Sequence, residues 1–202
     1  MNLSQYTANF DTYNLTWHII PKNASQSIRY IMAMVLENTS NISANTIGKT
    51  YFHKFNDTQV RFGGNYNKNR FAVVRNPAER LLSCYSNIFC ERMERTENLD
   101  YFFNEFMPTI LSYNHNNSLY EHFYPQYMFL TDKNIKVFNV DSMYKVFTYI
   151  KDVTGHQFDV NEFQLNPSIN PVNNKANRDQ AYRFLEKNMP LELEFYSGLQ
   201  PA

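Results

Sequence analysis

Hydrophobic positions along the chain fall into three short runs, each followed by a stretch with helical spacing. Leu15 to Ile20 is mostly apolar and contains β-branched residues, which predicts a buried strand. Pro21 ends it, because proline has no N–H to give to a sheet. Ile28, Ile31, Met32 and Val35 then recur at the period of one helix face, and Ser25 is placed to cap that helix, which ends near Glu37. The pattern repeats at Phe71 to Val74, where Pro77 suits a first helical position and Leu81, Leu82, Tyr85, Ile88 and Phe89 give the apolar face. It repeats again at Asn134 to Val140, where Asp141 is placed to cap a helix faced by Met143, Val146, Phe147 and Ile150 and ending near Gly155. Strand and helix alternating in this way predict an α/β fold with a doubly wound parallel sheet flanked by helices. Ligands of such sheets bind beyond the carboxyl ends of the strands.

Between these units the signals are weaker. Asn38 to Asn45 reads as a loop, Thr50 to Phe55 as a short strand carrying His53, and Gly63-Gly64 as a turn. Asn98 to Tyr113 reads as a helix interrupted near Pro108. Asn166 to Arg178 is Asn- and Pro-rich and reads as a long loop before an amphipathic helix to Met189. No internal repeat or linker appears, and 202 residues fit a single domain, 1–202.

The loop from Ile20 to Ile28 carries the first candidate chemistry. A strand, a polar turn and a helix start leave N–H groups without backbone partners, and the helix dipole adds positive character there. Lys22 adds a full charge in the same place. This is an anion cradle, yet the G-x-x-x-x-G-K-[ST] pattern is absent, with no glycine between Leu15 and Gly48. The second is Arg75, at the end of a predicted strand, where a guanidinium can fork onto a phosphate, with Ser83 on the following helix able to donate a hydroxyl.

These stretches carry a family resemblance. PKNASQSIR, residues 21–29, resembles the 5′-phosphosulfate loop (20–28) of sulfotransferases that use 3′-phosphoadenylyl sulfate (PAPS), and is most similar to the carbohydrate branch, of the Golgi-type, heparan 2-O/uronyl-like kind. Gln26 departs from the usual small hydroxyl residue. VRNPAERLLSCY, within 71–85, resembles the family's 3′-phosphate signature through Arg75, Asn76, Pro77, Glu79, Arg80, Leu81, Ser83 and Tyr85. The resemblance spans roughly Leu15 to Leu199, where LELEFYSGL is similar to the family's closing helix. It implies a P-loop-like sheet and a PAPS-dependent transfer of a sulfuryl group to a hydroxyl. Lys22, Asn23, Ala24, Ser25, Gln26, Ser27, Arg75 and Ser83 would bind the cofactor, joined by Lys175 or Arg178 from a loop over the phosphates. Lys22 would also be catalytic. The acceptor hydroxyl needs a general base. His53, placed between the two signatures where one carbohydrate branch keeps a catalytic histidine, takes that role, with His122 as the rival. His122 and Gln126, in HFYPQ, resemble a segment near the acceptor cleft.

Composition narrows the classes. A 43% hydrophobic, 16% aromatic chain is globular. A formal net charge of zero argues against a surface committed to nucleic acid. No apolar run reaches membrane-span length, and the N-terminus shows no signal peptide, so a cytoplasmic protein of bacterial or viral origin is expected, without the anchor of the animal Golgi enzymes. Cys84 and Cys90 fall on different faces of one helix, which disfavours a disulfide. No His/Cys/Asp cluster calls for a metal. The acceptor is expected to be a sugar or glycan; the oligomeric state is left open. The competing readings are a P-loop kinase or NTPase, which would need a Ser or Thr where Asn23 follows Lys22, and a non-catalytic nucleotide- or glycan-binding module.

Overall fold

The computed structural model describes residues 6–39, 60–112, 119–130, 134–158 and 172–199. They divide into two compact units, one from 6–74 with 129–158, the other from 75–128 with 172–199.

The first unit is a five-stranded sheet in the order β3-β1-β2-β4-β5, with β1 Thr7–Phe10, β2 Leu15–His18, β3 Arg61–Phe62, β4 Asn69–Val74 and β5 Lys136–Asn139. β2, β4 and β5 run parallel, with Trp17 opposite Phe71 and Ala72 opposite Val137. β1 pairs antiparallel with both β2 and β3, so the expected parallel sheet of β2, β4 and β5 is extended by an antiparallel edge. All four residues of β2 are buried, as a strand covered on both faces requires. Side chains alternate: Leu15, Trp17, Phe71 and Val73 join one core with helices α1, Ser25–Glu37, and α5, Met143–Thr154. Trp17 stacks on Phe71 with centroids 6.4 Å apart.

Helix α1 presents Ile28, Ile31, Met32 and Val35 to that core, as their spacing predicts. Its cap differs from expectation. Ala24 occupies the cap position in the left-handed region, no side chain caps it, and Ser25 is the first helical residue. Helix α5 ends as predicted at Gly155, with φ 70°. Its start does not use Asp141 as the cap; the Asn139 side chain accepts from the Asp141 N–H instead.

The second unit is helical. α2, Pro77–Cys84, runs on into a π-helical segment, Tyr85–Arg92. α3, Leu99–Tyr101, and α4, Met107–Ser112, are joined by a π-helical Phe102–Phe106. Pro108 therefore does not interrupt the helix. It lacks an N–H, and the widened turn just before it absorbs the lost bond. α6, Lys175–Asn188, starts three residues earlier than expected, and α7, Pro190–Gly198, follows Met189. Phe89, Phe102, Phe103, Phe123 and Phe184 pack this unit's core. Cys84 is buried and its thiol donates to the His122 carbonyl at 3.1 Å. Among the described residues no helix is long and apolar enough to cross a membrane.

Candidate functional site

Two constellations carry the candidate chemistry, one in each unit. In the sheet unit, β2 and β4 are adjacent and parallel, so their carboxyl ends lie at one edge of the sheet. The loop that leaves β2 there alternates in backbone handedness: Lys22 has φ 68° and Ala24 φ 56°, while Pro21 and Asn23 do not lie at positive φ. Alternation of this kind turns successive N–H groups toward one point and makes an anion-binding concavity. Neither left-handed residue is glycine, so each holds a conformation that is unfavourable for an L-residue. The loop leads directly into the first turn of α1, whose Ser25, Gln26 and Ser27 carry the N–H groups that a helix leaves without internal partners. Gln26 is exposed, and Lys22, Ala24, Ser25 and Ser27 are half-buried. Asn23 differs from its neighbours. It is 1% exposed, and its Nδ2 donates to the Val73 carbonyl of β4 at 2.9 Å.

The helical unit opens with Arg75. Asn76 caps α2, its Oδ1 accepting from the N–H groups of Ala78 at 3.0 Å and Glu79 at 3.3 Å. Pro77 takes the first helical position as predicted. The start of α2 is thus closed by a side chain, where that of α1 is not. Arg75 Nε lies 3.5 Å from Glu79 Oε2, and Arg178 Nη1 lies 3.5 Å from Glu79 Oε1. One carboxylate therefore stands between two guanidinium groups, and the trio keeps a net positive charge for an anion. Ser83 is half-buried one turn beyond Glu79 on the same face of α2. Asn76 Nδ2 also donates to the Tyr182 hydroxyl, which ties α2 to α6. Lys175 is exposed on the first turn of α6, three residues before Arg178 and on its face.

The HFYPQ segment belongs to the same unit. His122 is half-buried, and its carbonyl accepts from Arg80 Nη2 at 3.0 Å. Gln126 is placed otherwise than its expected substrate-binding role requires. It is fully buried, and its side chain is engaged with the backbone of Arg75 and the carboxylate of Glu192. Glu192 is 1% exposed, and burial raises its carboxyl above the ordinary range against the lowering effect of Arg80 and of hydrogen bonds from Gln126 and Tyr127. His53 lies outside the described residues, as does the rest of the strand expected at Thr50 to Phe55.

The structure thus brings together Lys22 to Ser27 as one loop, and Arg75, Glu79 and Arg178 as one charge cluster with Ser83 beside it. Sequence reasoning gave no role to Glu79, Tyr182 or Glu192. The four-residue spacing of Arg75 and Glu79 was the available signal for the first of these; the other two act across long sequence separations. No group of His, Cys, Asp and Glu among the described residues could hold a metal ion.

A model described as the sulfotransferase family matches residues 6–187. No curated protein and no solved structure matches the chain.

Proposed function

The chain belongs to the sulfotransferase family, and on that premise we propose that it transfers the sulfuryl group of PAPS to a carbohydrate hydroxyl by in-line displacement. The observation that carries this reading is the loop Pro21 to Ser27. Two left-handed residues at its bends, a half-buried lysine and a helix start without a side-chain cap form a cradle for the 5′-phosphosulfate. Arg75, supported by Glu79, and Ser83 take the 3′-phosphate, and Lys175 adds charge from α6.

The chemistry asks for positioning and charge stabilisation more than for covalent help. In the transition state, charge grows on the oxygen that bridges sulfur to the 5′-phosphate. Lys22 and the N–H groups of Ala24 to Ser27 stabilise it. His53 accepts the proton of the acceptor hydroxyl, and His122 is the rival for that task. The carbohydrate class follows from the similarity of PKNAS to the carbohydrate branch.

The inward turn of Asn23 speaks against a P-loop kinase or NTPase. In such enzymes the residue after the loop lysine is a Ser or Thr that reaches the metal; here that residue is buried on the carbonyl of Val73. Isothermal titration with 3′,5′-bisphosphoadenosine and with ATP–Mg²⁺ tests the reading. The bisphosphate is expected to bind and ATP–Mg²⁺ to bind far more weakly. Radiolabelled PAPS should then deliver sulfate to a panel of sugars. Preference for ATP–Mg²⁺ would overturn the proposal, and binding without transfer to any acceptor would leave a binding module in its place.

A further inference from the structure

Within the helical unit, Glu192 lies in a buried network that ends on the backbone of Arg75. α7 exposes Leu191 at 59% and buries Glu192 at 1%, the reverse of what their side chains favour. An ionised carboxylate taken from water is strongly penalised unless it is paired and hydrogen-bonded. Glu192 is both. Its Oε2 accepts the Gln126 N–H at 2.9 Å, its Oε1 accepts Gln126 Nε2 at 2.9 Å, and Tyr127 N–H and the Arg80 charge also act on it.

Gln126 passes this constraint on. Its Nε2 also donates to the Arg75 carbonyl at 2.9 Å, and its Oε1 accepts the Arg75 N–H at 2.9 Å. A carboxylate only accepts hydrogen bonds, so Glu192 admits the NH₂ end of the Gln126 amide and refuses the carbonyl end. The carboxylate and the two backbone groups of Arg75 therefore demand the same amide orientation, and Glu192 anchors the NH₂ end that reaches Arg75. With the other orientation, Oε1 would face both the carboxylate and the Arg75 carbonyl and NH₂ would face the Arg75 N–H, three repulsive contacts at a buried side chain.

We propose that Glu192 is a positioning residue for phosphate recognition, which fixes the amide of Gln126, through it the backbone of Arg75, and so the place where the Arg75 guanidinium meets the 3′-phosphate. This rests on the reading of Arg75 as the 3′-phosphate ligand. A purely structural role would weaken all ligands together. A positioning role weakens the one that carries the 3′-phosphate.

The test is isothermal titration of 3′,5′-bisphosphoadenosine and of 5′-AMP into wild type, Arg75→Ala, Glu192→Gln, Gln126→Met and the double variant Arg75→Ala/Glu192→Gln. Glu192→Gln keeps the shape and removes the carboxylate that anchors the NH₂ end of Gln126; Gln126→Met removes the link. Each is expected to reduce the preference for the bisphosphate by about tenfold, the size of one lost charge-assisted contact, with 5′-AMP affinity nearly unchanged. In the Arg75→Ala background, Glu192→Gln should lower the preference no further.

If wild type shows no preference, or Arg75→Ala keeps it, the reading of Arg75 has failed, and the proposal falls with it. If Arg75→Ala loses the preference while a folded Glu192→Gln keeps it, the proposal alone is overturned. An equal loss for both ligands overturns it as well, in favour of a structural role. Should Glu192→Gln not fold, Gln126→Met decides by the same criterion.

Discussion

Asn23 ties the loop after β2 to the neighbouring strand: its Nδ2 donates to the Val73 carbonyl at 2.9 Å, from a side chain that is 1% exposed. The bond holds the middle of the loop proposed to cradle the 5′-phosphosulfate against the carboxyl edge of the sheet while the residues on either side bend into the left-handed region. Asn23→Ala removes the donor and leaves a carbonyl at that edge without it. The expected loss is about 1–3 kcal/mol of stability, read from the urea midpoint at constant slope, together with weaker binding of 3′,5′-bisphosphoadenosine. A midpoint equal to wild type would show that water or another donor replaces the bond.

Ala24 separates backbone strain from side-chain chemistry. An alanine at φ 56° sits about 1–2 kcal/mol above a right-handed one. Ala24→Gly removes that penalty and returns roughly 0.5–1 kcal/mol of it through a more flexible unfolded chain, so stability should hold or rise slightly. Ala24→Val is expected to be destabilised, because a β-branched residue there is a genuine outlier, and to lose bisphosphate affinity as the cradle opens. Thermal unfolding and titration of both variants check this. A valine variant that matched wild type in both would show that the left-handed bend is not required.

Lys22 should act on the rate more than on binding. In the proposed reaction the charge it faces is largest in the transition state, and an interaction made mainly there appears in kcat. Lys22→Ala is expected to lower kcat by about 10²–10³ and bisphosphate affinity by no more than about tenfold. Saturation kinetics with PAPS separates the two. Full turnover at saturation with impaired affinity would make the lysine an anchor only.

What the sequence made legible follows from how residues are buried. β2 and β4 were readable because Leu15 to Ile20 is mostly apolar with β-branched residues and Phe71 to Val74 is apolar, as strands covered on both faces tend to be. β1 was not, because Thr7 and Asn9 look exposed on paper, yet both are buried. Asn9 earns its place through hydrogen bonds to the carbonyls of Arg61 and Gly63 and from Thr16 Oγ1, partners that only the folded sheet brings together. The loop Pro21 to Ser27 and the stretch at Arg75 could be proposed from sequence because their residue patterns are local. The support beneath Arg75 could not: Gln126 and Glu192 are 66 positions apart, and the pattern of α7 would bury Leu191 rather than Glu192. Gln126 was expected to bind the acceptor from the resemblance of HFYPQ to a family segment near the cleft, where the structure buries it against Arg75 and Glu192.

Glu192 gives the stability a definite pH dependence. Burial raises its carboxyl in the folded protein above the ordinary value of 4.5. Over the window from 4.5 up to the raised value, the folded state holds a proton that the unfolded chain has released. Stability from this group is therefore full below that window and falls as pH rises through the folded pKa. Asp11 acts in the opposite direction. Hydrogen bonds from Arg61 hold it below 3.8, so what it contributes is lost only as pH falls through that lower value. Urea midpoints of wild type and Glu192→Gln from acid to neutral pH should show the wild-type advantage shrinking as pH rises and then levelling. An advantage that grew with pH would mean the carboxylate is favoured by its surroundings.

The last expectation concerns the base. If His53 takes the acceptor proton, His53→Ala should lower the rate by roughly 10²–10⁴, the usual span for general base catalysis, with bisphosphate affinity unchanged, because the base touches the acceptor and not the nucleotide. The wild-type rate should rise with pH through an apparent pKa of about 6–7 as the imidazole becomes neutral, and His53→Ala should lose that rise. His122 has a different kind of claim. It is half-buried, and its carbonyl holds Arg80 and the Cys84 thiol in the helical unit. Because those contacts use its backbone, His122→Ala can remove the imidazole and keep them. Any loss of rate then reports on the ring itself, provided that circular dichroism shows the fold intact. A milder loss, mainly in acceptor affinity, is expected. A dead His122→Ala beside a His53→Ala within about threefold of wild type, which is under 1 kcal/mol of barrier, would move the base to the HFYPQ segment. Were both variants active with the pH rise unchanged, neither His53 nor His122 would be the base.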